Sequence, residues 1–209
     1  MISDEIHAFL ALPGATHVPY ASLDGTREHV TTVVSASKAW NVPGLKCAQV
    51  VAGSGRDAAA LRAAPLVANH GLSPLGVVGT VAAYRHGGPW LDGLVAALDT
   101  RRDHFGRLLA ERLPGARWTP MEATYLAWVD AGGTGCADPA GESLRSGRVA
   151  VGRGRDFAPP PGPPGPHEGQ GPDGDGWGYG RFVRITLATS AERLERIVDG
   201  LARAWASRT

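Results

Sequence analysis

The stretch that most constrains this chain is His29-Val30-Thr31-Thr32-Val33-Val34, followed at once by Ser35-Ala36-Ser37-Lys38. A β-branched, almost continuously apolar run of this length reads as a buried strand of a parallel sheet. It implies an α/β fold in which Lys38 stands just past a strand's carboxyl end, the edge where open α/β sheets collect ligands. The small and hydroxylated residues before Lys38 allow close backbone approach and offer hydroxyl donors, a surround suited to a phosphate.

Of the 21 cationic side chains all but two are arginine, and both lysines, Lys38 and Lys46, fall within nine residues of each other. A position that stays lysine where arginine is the rule calls for a primary amine of tunable pKa, able to act as nucleophile, base or Schiff-base partner. Ser35-Ala36-Ser37-Lys38 is formally the S-x-x-K of serine acylases, but their S-D-N and K-T-G companions are missing from the sequence, and that chemistry is excluded. The plainer alternative is a strand-to-loop turn with one solvated lysine.

At 209 residues with 43% apolar content the chain can bury one large or two small domains. A formal net charge of +1 gives no bulk attraction to nucleic acid or to an anionic membrane, and neither is expected as a partner. Cys47 and Cys136 lack metal-type spacing and are too few for a disulfide framework, which suits a reducing cytoplasm. No signal peptide is visible, and Leu72 to Tyr84, the most apolar segment, is too short for a membrane span and reads as a buried helix.

Along the chain, Cys47 to Ala52 reads as a second strand leading into Gly53-Ser54-Gly55-Arg56-Asp57-Ala58, formally G-x-G-x-x-A. No strand follows the next helix and no acidic residue stands about twenty positions on, so this is a tight turn and not a dinucleotide fingerprint. Helices are expected over 57–64 and 73–86, and a longer one begins at Pro89, with Leu91, Leu94, Val95, Leu98, Phe105, Leu108 and Leu109 on its core face. Thr124 to Asp130 reads as a strand, 138–147 as a helix, and Arg148 to Phe157 as strand-like with its arginines on a solvated face. Ala158 to Gly180, dominated by Pro and Gly, is expected to be a mobile loop. Arg181 to Ala188 has a period of two that puts Arg184 opposite Val183, Ile185 and Leu187, and Thr189-Ser190-Ala191-Glu192 forms a capping box for a final amphipathic helix.

The wording Ser-Lys-Ala-Trp-Asn-Val-Pro-Gly-Leu-Lys-Cys-Ala at 37–48, the segment Ser3-Asp4-Glu5-Ile6-His7, and Phe182-Val183-Arg184-Ile185 together resemble the class I/II pyridoxal-phosphate-dependent aminotransferases, most closely their cystathionine β-lyase or carbon-sulfur lyase branch. The resemblance implies a fold-type I architecture: the C-terminal part of a mostly parallel-sheet large domain over 1–88, and a small α+β C-terminal domain over 89–209. It implies pyridoxal 5'-phosphate as cofactor, attached to Lys38, with Asp4 facing the pyridine nitrogen and His7 where many relatives have a tyrosine. Ser35, Ser37 and Lys46 would contact the phosphate, and Arg184 would grip the α-carboxylate of an amino-acid substrate. Without the resemblance, Asp4 reads as a helix N-cap and Arg184 as an edge-strand arginine in water.

The implied reaction is β-elimination at a carbon-sulfur bond, releasing thiol, pyruvate and ammonia. An amino-acid aminotransferase and an inactive fragment are the alternatives. The resemblance spans only the second half of such enzymes, so a homodimer or a complementing N-terminal half is the expected partner.

Overall fold

The computed structural model describes residues 1–69, 71–158 and 178–206, with the side chains of residues 66 and 69 left aside. The Pro/Gly-rich segment expected to be a mobile loop lies mainly outside the described residues. The chain divides into two compact units, residues 1–97 with 122–124, and residues 98–121 with 125–209.

In the first unit a three-stranded sheet is ordered β1-β2-β3, with β1 Ile2–Asp4, β2 Thr31–Val34 and β3 Gln49–Ala52. β1 and β2 run parallel, Asp4 opposite Val33, but β3 returns antiparallel to β2. Within the run at 29–34 the strand is Thr31–Val34, central among the three, but the sheet is locally mixed where a parallel one is expected, and of the strand only Thr32 is buried. The connection from Ser35 to Ala48 holds no α-helix to carry a parallel crossover, only the 3-10 segment Pro43–Leu45. Leu10, Leu12, Val30, Ala36 and Ala39 are buried in this unit.

Two helices follow, α1 Gly55–Ala63 and α2 Pro74–His86. At the G-x-G turn a Cβ on Gly53 would stand 1.9 Å from the Arg27 carbonyl, so the glycine serves a backbone crossing. Helix α2 is not the buried helix its composition suggests. Leu75 is 71% exposed and Val78 67%, while the buried positions are Gly76 and Thr80. The cause is Leu45: a Cβ on Gly76 would meet its carbonyl at 2.3 Å, and one on Gly79 its Cδ1 at 2.6 Å. The small residues press against the 43–45 turn, which leaves the larger apolar ones outside.

Helix α3, Gly88–Arg112, carries Phe105, Leu108 and Leu109 into the core of the second unit. That core lies against an antiparallel sheet ordered β4-β5-β7-β6, with β4 Arg117–Trp118, β5 Leu126–Asp130, β6 Gly152–Arg153 and β7 Phe182–Thr186. Val129, Val183, Ile185 and Leu187 face inward against Leu194, Val198, Leu201 and Trp205 of α5, Ala191–Trp205. A short α4, Pro139–Arg145, is capped by Asp138, which accepts from Gly141 N at 3.0 Å.

Two local expectations shift. The stretch 148–157 contributes only Gly152–Arg153 to the sheet and then turns through a 3-10 segment, because a Cβ on Gly154 would lie 2.2 Å from the Tyr179 carbonyl. The cap of α5 is Ser190, one residue later than the box implies, its hydroxyl accepting from Arg193 N at 3.3 Å.

Candidate active site

β1 and β2, as parallel neighbours, deliver their carboxyl ends to one edge of the sheet. Asp4 closes β1, and its Oδ1 accepts from Ile6 N at 3.2 Å. Lys38 lies four residues beyond Val34, half-buried, in a turn held by Trp40 N to Ala36 O and Val42 N to Ser37 O, both 3.0 Å. Two indoles fasten that turn from outside. Trp40 Nε1 donates to Gly87 O at 2.8 Å, and Trp90 Nε1 donates to Ala39 O at 3.2 Å. Trp40 also meets Phe9 and Tyr84, with centroids 5.2 and 5.4 Å away, so the backbone on both sides of the lysine is anchored by aromatic packing.

The hydroxyls around Lys38 differ. Ser35 is buried, donates to Cys47 O at 2.7 Å and accepts from Ser37 N at 3.1 Å. Its proton is thus committed to closing the loop between β2 and β3, whereas Ser37 is half-exposed. Lys46 is exposed in left-handed backbone, φ +51°, at the end of the 43–45 turn.

Beside Asp4 lies a cleft of about 330 Å³ whose lining includes Glu5, His7, Thr16, His17 and Glu122. His7 Nδ1 is 2.8 Å from the hydroxyl of Thr124, itself at φ +70°. Glu5, 8% exposed, is the group that sequence reasoning passes over. It takes hydrogen bonds from Ser3 Oγ (2.9 Å) and Tyr20 N (3.0 Å), and pairs with His17 Nε2 (2.9 Å). His17 and Tyr20 have no readable role in sequence because their partner is more than ten positions away; the one local signal is the acidic pair Asp4-Glu5.

Burial pushes the Glu5 carboxyl up, but the bonds from His17, Tyr20 and Ser3 outweigh it and hold the carboxyl below its usual 4.5. A depressed carboxylate stabilises the fold above its unfolded pKa, and that contribution disappears as pH falls through the folded value. Glu5→Ala is therefore expected to lower stability by about 1–2 kcal/mol at pH 7, with the deficit shrinking as pH falls below the usual carboxylate range. Thermal melts of both proteins between pH 3 and 8 check this.

Arg184 belongs to the second unit. It lies on the outer face of β7 as its period of two requires, with its guanidinium 4.4 Å from the centroid of the Phe157 ring. Trp128 and Phe182 stack beside it at 5.5 Å, and Gly152 is its cross-strand neighbour on β6. Tyr125, its phenol pushed up by burial, feels the charge of Arg184 in the opposite direction. Among the described residues no carboxylate forms an ion pair with Arg184.

A lysine at the end of a parallel strand, beside a strand that ends in an acid, joined by a helix to an antiparallel α+β unit, is an arrangement of fold-type I enzymes. The chain belongs to the aminotransferase class I and II family, whose model matches residues 1–201. A protein of Mycobacterium tuberculosis (strain CDC 1551 / Oshkosh) that bears the name "Putative cystathionine beta-lyase" is 45% identical over 152 residues, 72% of this chain and 37% of its own length. A cystathionine β-lyase of Corynebacterium glutamicum is 31% identical over 205 residues, 97% of this chain and 49% of that one. The crystal structure of the pyridoxal-phosphate-bound carbon-sulfur lyase of Staphylococcus hominis superposes on 98% of this chain and 49% of its own, with a TM-score of 0.81 at 25% identity. The chain thus spans half or less of the length of these relatives.

Proposed function

We propose that these residues form the lysine-bearing part of a pyridoxal-phosphate-dependent carbon-sulfur β-lyase acting on S-substituted cysteines of the cystathionine type. The observation that carries this reading is the half-buried Lys38 on a turn pinned by Trp40 and Trp90, at the sheet edge where β1 ends in Asp4. The donor set fits the cofactor: an amine for the aldehyde, a carboxylate for the ring nitrogen, and a hydroxyl with a second amine for the phosphate. When bound, that group supplies an electron sink for negative charge developing at the substrate's Cα.

The roles of the chain's own residues follow from their chemistry. Lys38 would hold the cofactor through Nζ, and the same amine, when free, would take the Cα proton. Asp4 keeps a proton on the ring nitrogen. Ser37 and Lys46 bind phosphate, and the committed hydroxyl of Ser35 supports this by fixing the loop. His7, in the place where many relatives have a tyrosine, would serve the ring oxygen of the cofactor. Arg184 orients the α-carboxylate through its planar fork, and the Phe157 ring limits the ways that fork can turn. With sulfur at Cβ, loss of the Cα proton and of the thiolate, which takes up a proton as it leaves, would give 2-aminoacrylate, and water would hydrolyse that to pyruvate and ammonia. Leu75 and Val78 of α2, and Val50 and Val51 on the two faces of the edge strand β3, are all at least half exposed and support a partner that covers them. That partner would be the remainder of the large domain or a second subunit.

The test is direct. The protein with pyridoxal phosphate should turn yellow, and borohydride should then fix the label on a single peptide containing Lys38. Labelling elsewhere, or none, would exclude the reading. Thiol and pyruvate release from cystathionine, set against amino transfer to a 2-oxo acid, separates lyase from aminotransferase. Arg184→Gln is expected to raise KM by about ten- to a hundredfold with a smaller change in kcat, because it removes a contact made in both ground and transition states.

A further inference from the structure

Arg193, Arg196 and Arg203 lie along one exposed side of α5, and the connection from α4 to β6 brings Arg148 beside them. Read in sequence, Arg148 belongs to a solvated face. In the fold the four surround an open groove of about 500 Å³ that lies wholly within the second unit.

The floor of the groove is backbone on backbone. A Cβ on Gly147 would stand 2.5 Å from the Gly200 carbonyl, and one on Gly200 2.5 Å from Val149 Cγ2. The connection therefore lies directly on the helix, and the flanking arginines rise around it as walls.

The charge is segregated. Asp199 is the one carboxylate in the lining, and it is turned to Arg112 at 2.7 Å. Glu195 faces His104 at 3.2 Å. Glu192, which feels Arg196 across the first helical turn, takes its hydrogen bonds from Ser190 and its own backbone. Among the described residues no carboxylate forms an ion pair with any of the four arginines. In a chain of net charge +1 this is a local excess of positive charge.

Two features make the excess costly. Arg193 is a cation in the first turn of α5, against the helix dipole. Arg148 occupies left-handed backbone at φ +58°, where glycine is the unstrained choice and other residues are held only at a cost. A strained, exposed arginine among unneutralised arginines has a reason to stay if its guanidinium is used.

We propose that this groove binds a small phosphorylated polyanion, a ligand with two or more phosphoryl groups whose oxygens accept the planar forks of Arg148, Arg193, Arg196 and Arg203. Phosphoryl oxygens match the bidentate geometry of guanidinium, and two such groups are needed to engage cations on both walls. The site shares no residue with the Lys38 turn and stands whether or not the lyase reading holds.

The probe is inorganic pyrophosphate, titrated calorimetrically into the full chain at fixed ionic strength. One equivalent is expected to bind, and Arg193→Gln with Arg196→Gln should weaken binding by about tenfold or more. Arg56→Gln, on the other unit, removes a positive charge away from the groove and should leave binding unaltered. Arg148→Gly is the sharpest arm, because it should weaken pyrophosphate about tenfold while raising the melting temperature of the ligand-free protein. A purely structural arginine would lower both. The proposal is overturned if pyrophosphate behaves as sodium chloride of equal ionic strength, if the groove variants keep full affinity, or if oligoglutamate binds there and pyrophosphate does not.

Discussion

If Lys38 has the proposed role, Lys38→Ala should abolish turnover, by about a thousandfold or more, because one substitution would remove both the covalent attachment of the cofactor and the base for the Cα proton. Lys38→Arg should be as inactive, although it keeps the positive charge. A guanidinium stays protonated at any working pH, so it can neither condense with an aldehyde nor accept a proton. The pair of variants thus separates the need for an amine from the need for a cation. Folding should hardly change, since the turn is fastened by the indoles of Trp40 and Trp90 and not by Lys38 itself. Thermal melts of both variants should fall within about 0.5 kcal/mol of the parent. Retained turnover, or a bound yellow chromophore resistant to dialysis in Lys38→Ala, would refute the role.

Trp205→Ala is expected to have the largest effect on stability. The side chain is 1% exposed, among Leu194, Val198 and Leu201 on its own helix, and its Nε1 donates to Pro139 O at 2.9 Å and Ser143 Oγ at 3.0 Å. Truncating a buried aromatic costs about 3–5 kcal/mol, and the loss of the two bonds to α4 adds to it. Against a typical total of about 5–15 kcal/mol, the loss should unfold or nearly unfold the second unit at 37 °C. Trp205→Phe keeps most of the volume but not the N–H, and should cost about 1–2 kcal/mol. Urea titrations followed by far-ultraviolet circular dichroism distinguish the two. Equal midpoints for Trp205→Phe and Trp205→Ala would mean that packing at this position contributes little.

The pattern of what was legible follows from the range of the forces. The face of β7 that carries Arg184, the core stripe of α3 and the apolar side of α5 are set by neighbours two to four positions apart, and each appears where its periodicity puts it. The tight turn at Gly53-Ser54-Gly55 is equally local in its signal, although the carbonyl that demands the glycine comes from Arg27. The Glu5 cluster was hidden because its partners lie twelve and fifteen residues away, at separations no local pattern encodes.

By itself, then, the sequence determined the elements, the strand-turn-lysine arrangement and the family wording at 3–7, 37–48 and 182–185. Tertiary structure alone decided which sides of those elements meet protein and which meet solvent. Helix α2 shows why: its composition asks for burial, yet Gly76 and Gly79 let the 43–45 turn come so close that the small side faces in and Leu75 and Val78 face out. The same logic gathered Arg148 with the arginines of α5, because Gly147 and Gly200 bring two distant backbones into contact. Hydrophobicity fixes how much surface a segment tends to bury, but close contact between remote backbones fixes which side of it is buried.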